Sequence, residues 1–499
     1  MRRSPRPAPL DAGAALRPAR FGPGPDLDHD LVARLRSVCA SVSVTDEDRV
    51  DAGRDWWPLS AVWAHDGTAP ALPAAVCRPG SAGEVAAVID LCSRSGVAVT
   101  PFAGASGVCG GSVPVHGGVS LDLTGLDGVV GIDADDLLVE VRAGTFGPDL
   151  EARLAAEGLT LGHWPQSFDL STVGGWLACR GAGQYSTRYG KIEDMVVGLE
   201  VATATAGLVR TGGTAPRSAT GPDLTQLFVG SEGTLGVITS ATLRVHPAAP
   251  AERRSAFSFD SFDAGLEVCR RVLRRGATPA VLRLYDRSES ARNFDVGDGC
   301  LLIVVDEGDS VIVDAAMAVV DEEAGHTGGR RRDAELAGTW LARRNHIPPI
   351  ADLVAAGLVV DTVEVAARWS ALAAIHRDAV ERLHRVDGTV AASVHQSHAY
   401  RDGACLYFTF AGRPPDAGRA AAESYYRQAF DAVTEVTRSH GGSISHHHGV
   451  GLNRARYLPA ALGRSLDVLQ RVKAALDPAG VLNPGKLGLD DPFGTVSVP

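Results

Sequence analysis

The segment Pro101-Phe102-Ala103-Gly104-Ala105-Ser106-Gly107-Val108-Cys109-Gly110-Gly111 follows directly on a short apolar run, Val97–Thr100. Small residues in succession let backbone N–H groups converge on one anion, and a pyrophosphate is the natural guest. Taken alone, the loop is equally compatible with an ordinary surface connection. It lacks both G-x-G-x-x-G opening a helix and G-x-x-x-x-G-K-[ST], so neither a nicotinamide-type fingerprint nor a P-loop is supported. A second stretch runs from Gly162 to Trp176 and on through Cys179-Arg180-Gly181-Ala182-Gly183, with the hydroxyls of Ser167, Ser171 and Thr172 beside bare backbone. A third, Gly230-Ser231-Glu232-Gly233-Thr234-Leu235-Gly236, leads into an apolar strand. Three such loops between residues 101 and 236 suit a cofactor with phosphates and ring edges better than surface decoration.

Further along stand three consecutive histidines, His446, His447 and His448. Adjacent histidines on a strand would alternate faces, so the three would not converge on one metal ion, and no metal is expected. Arg283 alternates with Leu282 and Leu284 and faces away from both. An unpaired buried arginine is costly, which favours an anionic partner; Asp286 would make that a plain salt bridge. Tyr407 lies in the strand-like run Cys405–Phe410, where core packing is as good a reading as chemistry.

The chain that positions these residues has 499 of them, enough for two to four domains. Its net charge of −11 argues against a broad electrostatic grip on nucleic acid. The eight cysteines are scattered without C-x-x-C, which fits a reducing, cytoplasmic compartment better than a disulfide scaffold or zinc site. No apolar run reaches the 18 residues of a membrane span. The first 25 residues, rich in Arg, Pro and Ala, read as a flexible tail.

Apolar periodicity predicts a helix over 29–45 and an aromatic, turn-rich connector at Asp55-Trp56-Trp57-Pro58. A strand at 74–77 and a helix capped by Ser81 and running to about Ser95 come next. Short strands are expected at 97–100, 118–123, 128–133 and 137–142, with a helix at 147–157. Pro247 and Pro250 mark a boundary. Beyond it, a strand at 255–259, a helix at 262–275, strands at 281–285 and 301–305 and a helix at 310–325 suit an α+β domain with an antiparallel sheet. A long helix at 416–439 stops at Gly441-Gly442.

Together the PFAGASGVCGG loop, PQSFDLSTVGGW, Arg188–Asp194, GSEGTLGVIT and Leu482-Asn483-Pro484-Gly485-Lys486 resemble the FAD-binding domain of the vanillyl-alcohol-oxidase (PCMH-type) flavoprotein superfamily. Within it, Gly162–Pro165, Leu282–Asp286, Asp402–Phe408 and Ser443–Gly451 are similar to the alkyldihydroxyacetonephosphate synthases. The resemblance implies a two-subdomain PCMH-type FAD-binding domain over 71–247, after a tail and helical lead-in over 1–70. An α+β substrate (cap) domain over 248–435 and a C-terminal segment over 436–499 that returns to the flavin would complete the chain.

It implies FAD contacts at Pro101, Phe102, Ala103, Gly104, Ala105, Ser106 and Gly107; at Gln166, Ser167, Phe168, Asp169, Leu170, Ser171 and Thr172; at Cys179, Arg180, Gly181 and Ala182; and at Glu232, Gly233, Thr234, Leu235, Gly236, Val237 and Ile238. Ala103 and Ala105 stand where the family carries glycine, and alanine penalises positive φ by roughly 1 kcal/mol. Tyr407 aligns with the family's acid/base tyrosine. Its phenol, ordinarily near a pKa of about 10, would need help from His446, His447 and His448, and Arg283 would orient the substrate. The synthase reading exchanges the acyl group of acyl-dihydroxyacetone phosphate for a fatty alcohol through a flavin N5 adduct. The alternative is oxidation of a 2-hydroxy acid or other alcohol by hydride transfer to FAD. The family's phosphate-binding arginine is replaced by Ala351, with Arg343 or Arg344 one or two helical turns upstream. The expected partner is a small-molecule or lipid substrate, with contact at a membrane surface and a homodimer as assemblies compatible with the likeness.

Overall fold

A computed structural model describes residues 5–8, 10, 20–22, 24–213, 216–416, 418–496 and 498. Two main sheets form the first half, beside a two-stranded pairing of Leu159–Thr160 with His246–Pro247. Strands Ser41–Ser43, Ala75–Arg78, Val119–Asp122 and Val99–Phe102 make a small sheet in that order. Its last three strands are parallel, and the crossover between Ala75–Arg78 and Val99–Phe102 is the helix Ala82–Ser95. Ser81 caps that helix at the Glu84 N–H and Gly96, at φ 64°, ends it. The second sheet is antiparallel, in the order Val129–Asp133, Leu138–Arg142, Val237–Arg244, Val196–Thr203 and Gly207–Gly212.

The second half is built on a seven-stranded sheet. Its order is Arg330–Arg332, Ala251–Phe259, Cys300–Gly308, Val281–Tyr285, Thr389–Ala399, Gly403–Gly412 and Val359–Arg368. Every pairing is antiparallel. Helices Phe262–Arg274, Ser310–His326, Trp369–His384 and Arg419–Ser439 bury one face of the sheet against the main apolar core. The opposite face carries the polar residues treated below. The architecture is α+β, as expected.

The lead-in departs from the expectation. The helix expected over 29–45 stops at Val38 and gives way to a strand, Ser41–Ser43, and a second helix, Asp46–Ala52, capped by Thr45, follows it. Thr45 and the three acids behind it form a fresh helix start at the end of the expected span. Pro58 opens the helix Pro58–His65, and Trp57 is fully buried, so the connector is part of the core. The tail is not wholly free either. Arg6 donates to the Gly104 carbonyl at 3.2 Å and to Asp51 at 3.1 Å, and Trp56 Nε1 donates to the Pro5 carbonyl. Residues 1–4 and 11–19 of the expected tail lie outside the described residues. Among the described residues no helix is long and apolar enough to cross a membrane.

Candidate active site

One row across the large sheet organises the site. The antiparallel register sets Tyr285 opposite His395, His395 opposite Tyr407 and Tyr407 opposite Glu364. Directly opposed residues share a face, so four strands present four polar side chains in a line. Arg283 and Thr362 join the same face by two-residue alternation. A register shift between Gln396 and His398 pairs His398 with Cys405. That bulge returns His398 to the face of His395, three residues before it, where regular alternation would have turned it away.

The row borders a cavity of about 940 Å³. Its other wall consists of the glycine-rich loops. Pro101–Gly107 all line it, as do Gln166, Ser167, Leu170, Ser171, Thr172, Cys179, Gly181, Ala182, Glu232, Gly233, Gly236, Val237 and Ile238. Among the described residues, the N–H groups of Ala103–Gly107 donate to no protein acceptor. The residues carrying these five N–H groups line the cavity, and backbone donors without a protein acceptor there suit a pyrophosphate, so the residues present fit FAD. Ala105 sits at φ 47°, in the strained left-handed region foreseen for it. Only glycine fits at 104, because a Cβ there would stand 2.1 Å from the Leu170 carbonyl oxygen.

Phe168, Asp169, Arg180, Thr234 and Leu235 do not line the cavity. Phe168 packs between Trp164 and Trp176, with ring centroids 4.9 and 6.5 Å away. Arg180, at φ 56°, ends the helix Val173–Cys179 and lies along Gly230. Thr234 ties its hydroxyl to the Ser231 carbonyl, and Leu235 is core. Phe168, Thr234 and Leu235 are buried behind the loops, whereas Asp169 and Arg180 are exposed.

Tyr407, His447, His448 and Arg283 all reach the cavity; His446 does not. The triplet sits in a bend rather than a strand, so the alternation invoked against metal binding does not apply. Ring nitrogens of His398, His446 and His447 lie within 4.8 Å of one another. His446 is a support. Its backbone N–H donates to Glu364, its carbonyl accepts Lys191 Nζ at 2.6 Å, and its Nδ1 shares a proton with His447 Nδ1 at 2.9 Å.

Tyr407 Oη accepts from Thr362 Oγ1 at 3.1 Å and lies 3.5 Å from His448 Nε2. Its ring stacks on His395 with centroids 4.9 Å apart. Burial holds the phenol well above its ordinary pKa, and the bond from Thr362 offsets only part of that. Burial also keeps the imidazoles neutral: His448 falls to about 4, and His398, His446 and His447 lie well below their usual value. The imidazoles therefore do not activate the phenol as neighbouring cations. At rest the site is a protonated tyrosine among neutral histidines.

Sequence reading missed the groups behind this arrangement. Arg283 does not pair with Asp286, which instead caps the helix Arg287–Phe294 and accepts the Val394 N–H at 2.8 Å. Arg283 donates to Tyr285 Oη at 2.8 Å and to His395 Nε2. A guanidinium can only donate, so Nε2 carries the lone pair and the proton of His395 sits on Nδ1. That proton goes to Glu289, 2.7 Å away. Burial works against the charge on Glu289, but His395, Arg292 and Ser393 outweigh it and hold its pKa at about 2. The sequence signal was present in His395-Gln396-Ser397-His398, a run of polar residues inside a strand that the structure buries.

The second missed group is a charged hub. Glu364 is fully buried and accepts from Ser445 Oγ at 3.0 Å, the His448 N–H at 2.7 Å and Arg454 Nη1 at 2.7 Å. Glu232 clamps the other end of the same loop, accepting the N–H groups of Val450 and Gly451 at 2.6 and 2.8 Å. Asn483, from the expected C-terminal motif, donates to the carbonyls of Gly111 and Glu232. Cofactor loops, histidine loop and C-terminus are thus one hydrogen-bonded unit.

Asp361 gives a pH test. Burial pushes its carboxyl up to about 7, although Tyr426 Oη donates to it at 2.6 Å. The unfolded value is about 3.9, so between those limits the folded state holds a proton that the unfolded chain releases. This residue's contribution to stability therefore falls as pH rises from about 4 to 7. Asp361→Asn should gain melting temperature relative to the parent over that range. A difference between the two proteins that does not change with pH would contradict the assignment.

Comparison with known proteins agrees with this geometry. Residues 73–212 match the FAD binding domain family, and residues 249–487 match the family of FAD linked oxidases, C-terminal domain. The chain is 30% identical to an alkyldihydroxyacetonephosphate synthase of Dictyostelium discoideum, over 83% of this chain and 73% of that one. It is 31% identical to the FAD-linked oxidoreductase YgcU of Escherichia coli, over 83% and 89%. To the glycolate oxidase subunit GlcD of Bacillus subtilis it is 29% identical, over 86% and 92%. A solved alkyldihydroxyacetonephosphate synthase superposes with a TM-score of 0.78 at 25% identity, covering 96% of this chain and 88% of the other. The structure of p-cresol methylhydroxylase, at 18% identity and a TM-score of 0.73, shares the fold. With its idle phosphate cradle facing a buried tyrosine–histidine row, the chain belongs to the FAD-linked oxidase family and is an FAD-dependent enzyme.

Proposed function

We propose that the protein exchanges the acyl group of acyl-dihydroxyacetone phosphate for a fatty alcohol, as alkyldihydroxyacetonephosphate synthases do, in ether lipid synthesis. The observation that carries this reading is the resting state of Tyr407, a buried protonated phenol with Thr362 donating to its oxygen. With that lone pair engaged, the phenolic hydrogen is free to point to His448 Nε2 or into the cavity. Bound FAD supplies the electrophilic and electron-accepting chemistry of its ring system. Tyr407 passes one proton between the substrate carbon and His448, which suits removal and return of a proton without net oxidation. Arg283, oriented by His395 and Tyr285, holds the substrate's oxyanion. The acyl group departs as a carboxylate, and the entering alcohol gives up its proton.

A second reading is oxidation of a 2-hydroxy acid, supported by the absence of any carboxylate ion pair to Arg283 among the described residues and by the likeness to GlcD. One experiment separates the two. Anaerobic enzyme is mixed with acyl-dihydroxyacetone phosphate plus fatty alcohol, or with a panel of 2-hydroxy acids. The synthase reading expects fatty acid release with no lasting bleaching of the flavin. Bleaching by a hydroxy acid, with no fatty acid released from the first mixture, would select the oxidoreductase.

A further inference from the structure

The segment Pro5–Ala8 lies against the first cofactor loop and is anchored on both sides of Arg6. Trp56 Nε1 donates to the Pro5 carbonyl at 3.0 Å, and Arg54 Nη1 donates to the Ala8 carbonyl at 2.7 Å. Ala8 is buried and packs with Ala61 and Ala64. Between these anchors the Arg6 side chain is 6% exposed. Its Nε donates to the Asp51 carbonyl at 3.3 Å, its Nη2 to Asp51 Oδ2 at 3.1 Å and its Nη1 to the Gly104 carbonyl at 3.2 Å. A buried cation is thus fastened to the loop that offers its N–H groups to the cofactor. Pro5–Ala8 lies outside both matched family segments, which begin at residues 73 and 249.

The peptide unit between Gly104 and Ala105 is planar and trans, so its C=O and N–H point in opposite directions. Its carbonyl is turned to Arg6, which does not line the cavity. The Ala105 N–H therefore points away from Arg6, and Ala105 does line the cavity. That N–H donates to no protein acceptor among the described residues. Ala105 also holds φ 47°, a conformation that alanine avoids unless it is restrained. The Arg6 bond fixes the peptide just before that residue, and with it the side to which the N–H is presented. A guanidinium on the carbonyl also polarises the amide and strengthens its N–H as a donor to an anion. At the other end of the loop the Trp56 N–H donates to the Gly107 carbonyl at 2.9 Å. Two loop carbonyls are thus drawn toward residues 6 and 56, which are themselves joined through Pro5.

We propose that Arg6 is a positioning residue for the cofactor: through the Gly104–Ala105 peptide it holds the strained loop with its donors turned to the FAD pyrophosphate. Strap and cofactor then support each other, since whatever the docked strap adds to FAD binding, FAD adds to the docking of the strap. The inference stands on FAD binding alone and is independent of the reaction that the enzyme carries out.

The test follows FAD release from the full-length holoenzyme, read as the rise in flavin fluorescence on dilution, beside the melting temperatures of the FAD-loaded and FAD-free proteins. Arg6→Gln should release FAD about tenfold faster, the scale of one lost hydrogen bond to a charged group. Arg6→Lys should recover part of the loss. Asp51→Asn, which removes the carboxylate that orients the guanidinium, should show a smaller loss in the same direction. The FAD-free proteins should melt alike, and only the rise in melting temperature that FAD brings should shrink. Ala105→Gly tests the route. Glycine enters the left-handed region without strain, so in that background Arg6→Gln should speed release only about twofold. Equal release rates in the parent and Arg6→Gln would overturn the proposal. So would a loss of the same size with alanine and with glycine at 105. A fall in melting temperature as large without FAD as with it would mark the contact as structural and overturn the positioning role.

Discussion

Tyr407→Phe should lose turnover by about 10²–10⁴-fold, the usual cost of removing a positioned proton-transfer group, while the protein stays yellow and keeps its melting temperature. The substitution removes one oxygen. That oxygen's contacts are the Thr362 hydroxyl and His448 Nε2, and neither belongs to the apolar core. Phenylalanine preserves the ring stacked on His395, so the row across the sheet stays in place. The measurement is kcat with the best substrate beside FAD content from absorbance. Because the phenol is held protonated by burial, the activity of the parent should also survive mildly alkaline conditions without a step near a pKa of about 10. Full activity in Tyr407→Phe would take the residue out of the mechanism.

Glu364→Ala should be the most damaging single change to the fold, at about 3–5 kcal/mol, because it leaves Arg454 as an uncompensated buried charge. Arg454 is 1% exposed, and its Nη1 makes all of its bonds, to Glu364, Ser445 Oγ and the Gly449 carbonyl. The same change also frees the N–H groups of His446 and His448, so the histidine loop loses its anchor. Two measurements separate these effects. The midpoint of urea unfolding reports stability. Flavin fluorescence during dialysis reports cofactor retention, which should drop as well, because the far end of that loop hangs on Glu232 in the cofactor wall. The pairing Glu364→Ala with Arg454→Met removes the stranded charge and should recover part of the stability but not the activity. If the single variant melts within a degree of the parent, Glu364 is not the anchor described here.

Much of the cofactor half was legible in the chain. Glycine-rich loops announce themselves because their function depends on backbone donors and on the absence of side chains, and both are written locally. Ser81, Ser95 and Gly96 bound a helix through capping chemistry that involves residues only a few positions apart. Even the strain at Ala105 follows from a local rule about Cβ in the left-handed region. The error in the lead-in has a tertiary cause, since Ser41–Ser43 leaves the helix to pair with the strand Ala75–Arg78.

The catalytic half was different. The sequence by itself determined that a tyrosine, an arginine and three histidines lie on or near strands of an antiparallel domain, and that glycine-rich loops would hold a phosphate-bearing cofactor. Only the tertiary structure decided which of them meet. The row Tyr285, His395, Tyr407 and Glu364 exists because of register across four strands whose sequence separations run to more than a hundred residues. His398 joins it only through a bulge. The partner of Arg283 is a neutral imidazole rather than Asp286, because the helix cap at Asp286 had the stronger local claim on that carboxylate. Burial set the direction of the pKa shifts at Tyr407, Asp361 and the histidines, and charged and hydrogen-bonding partners overcame it at Glu289 and Glu364; both are properties of the assembled core that no spacing of residues along the chain records.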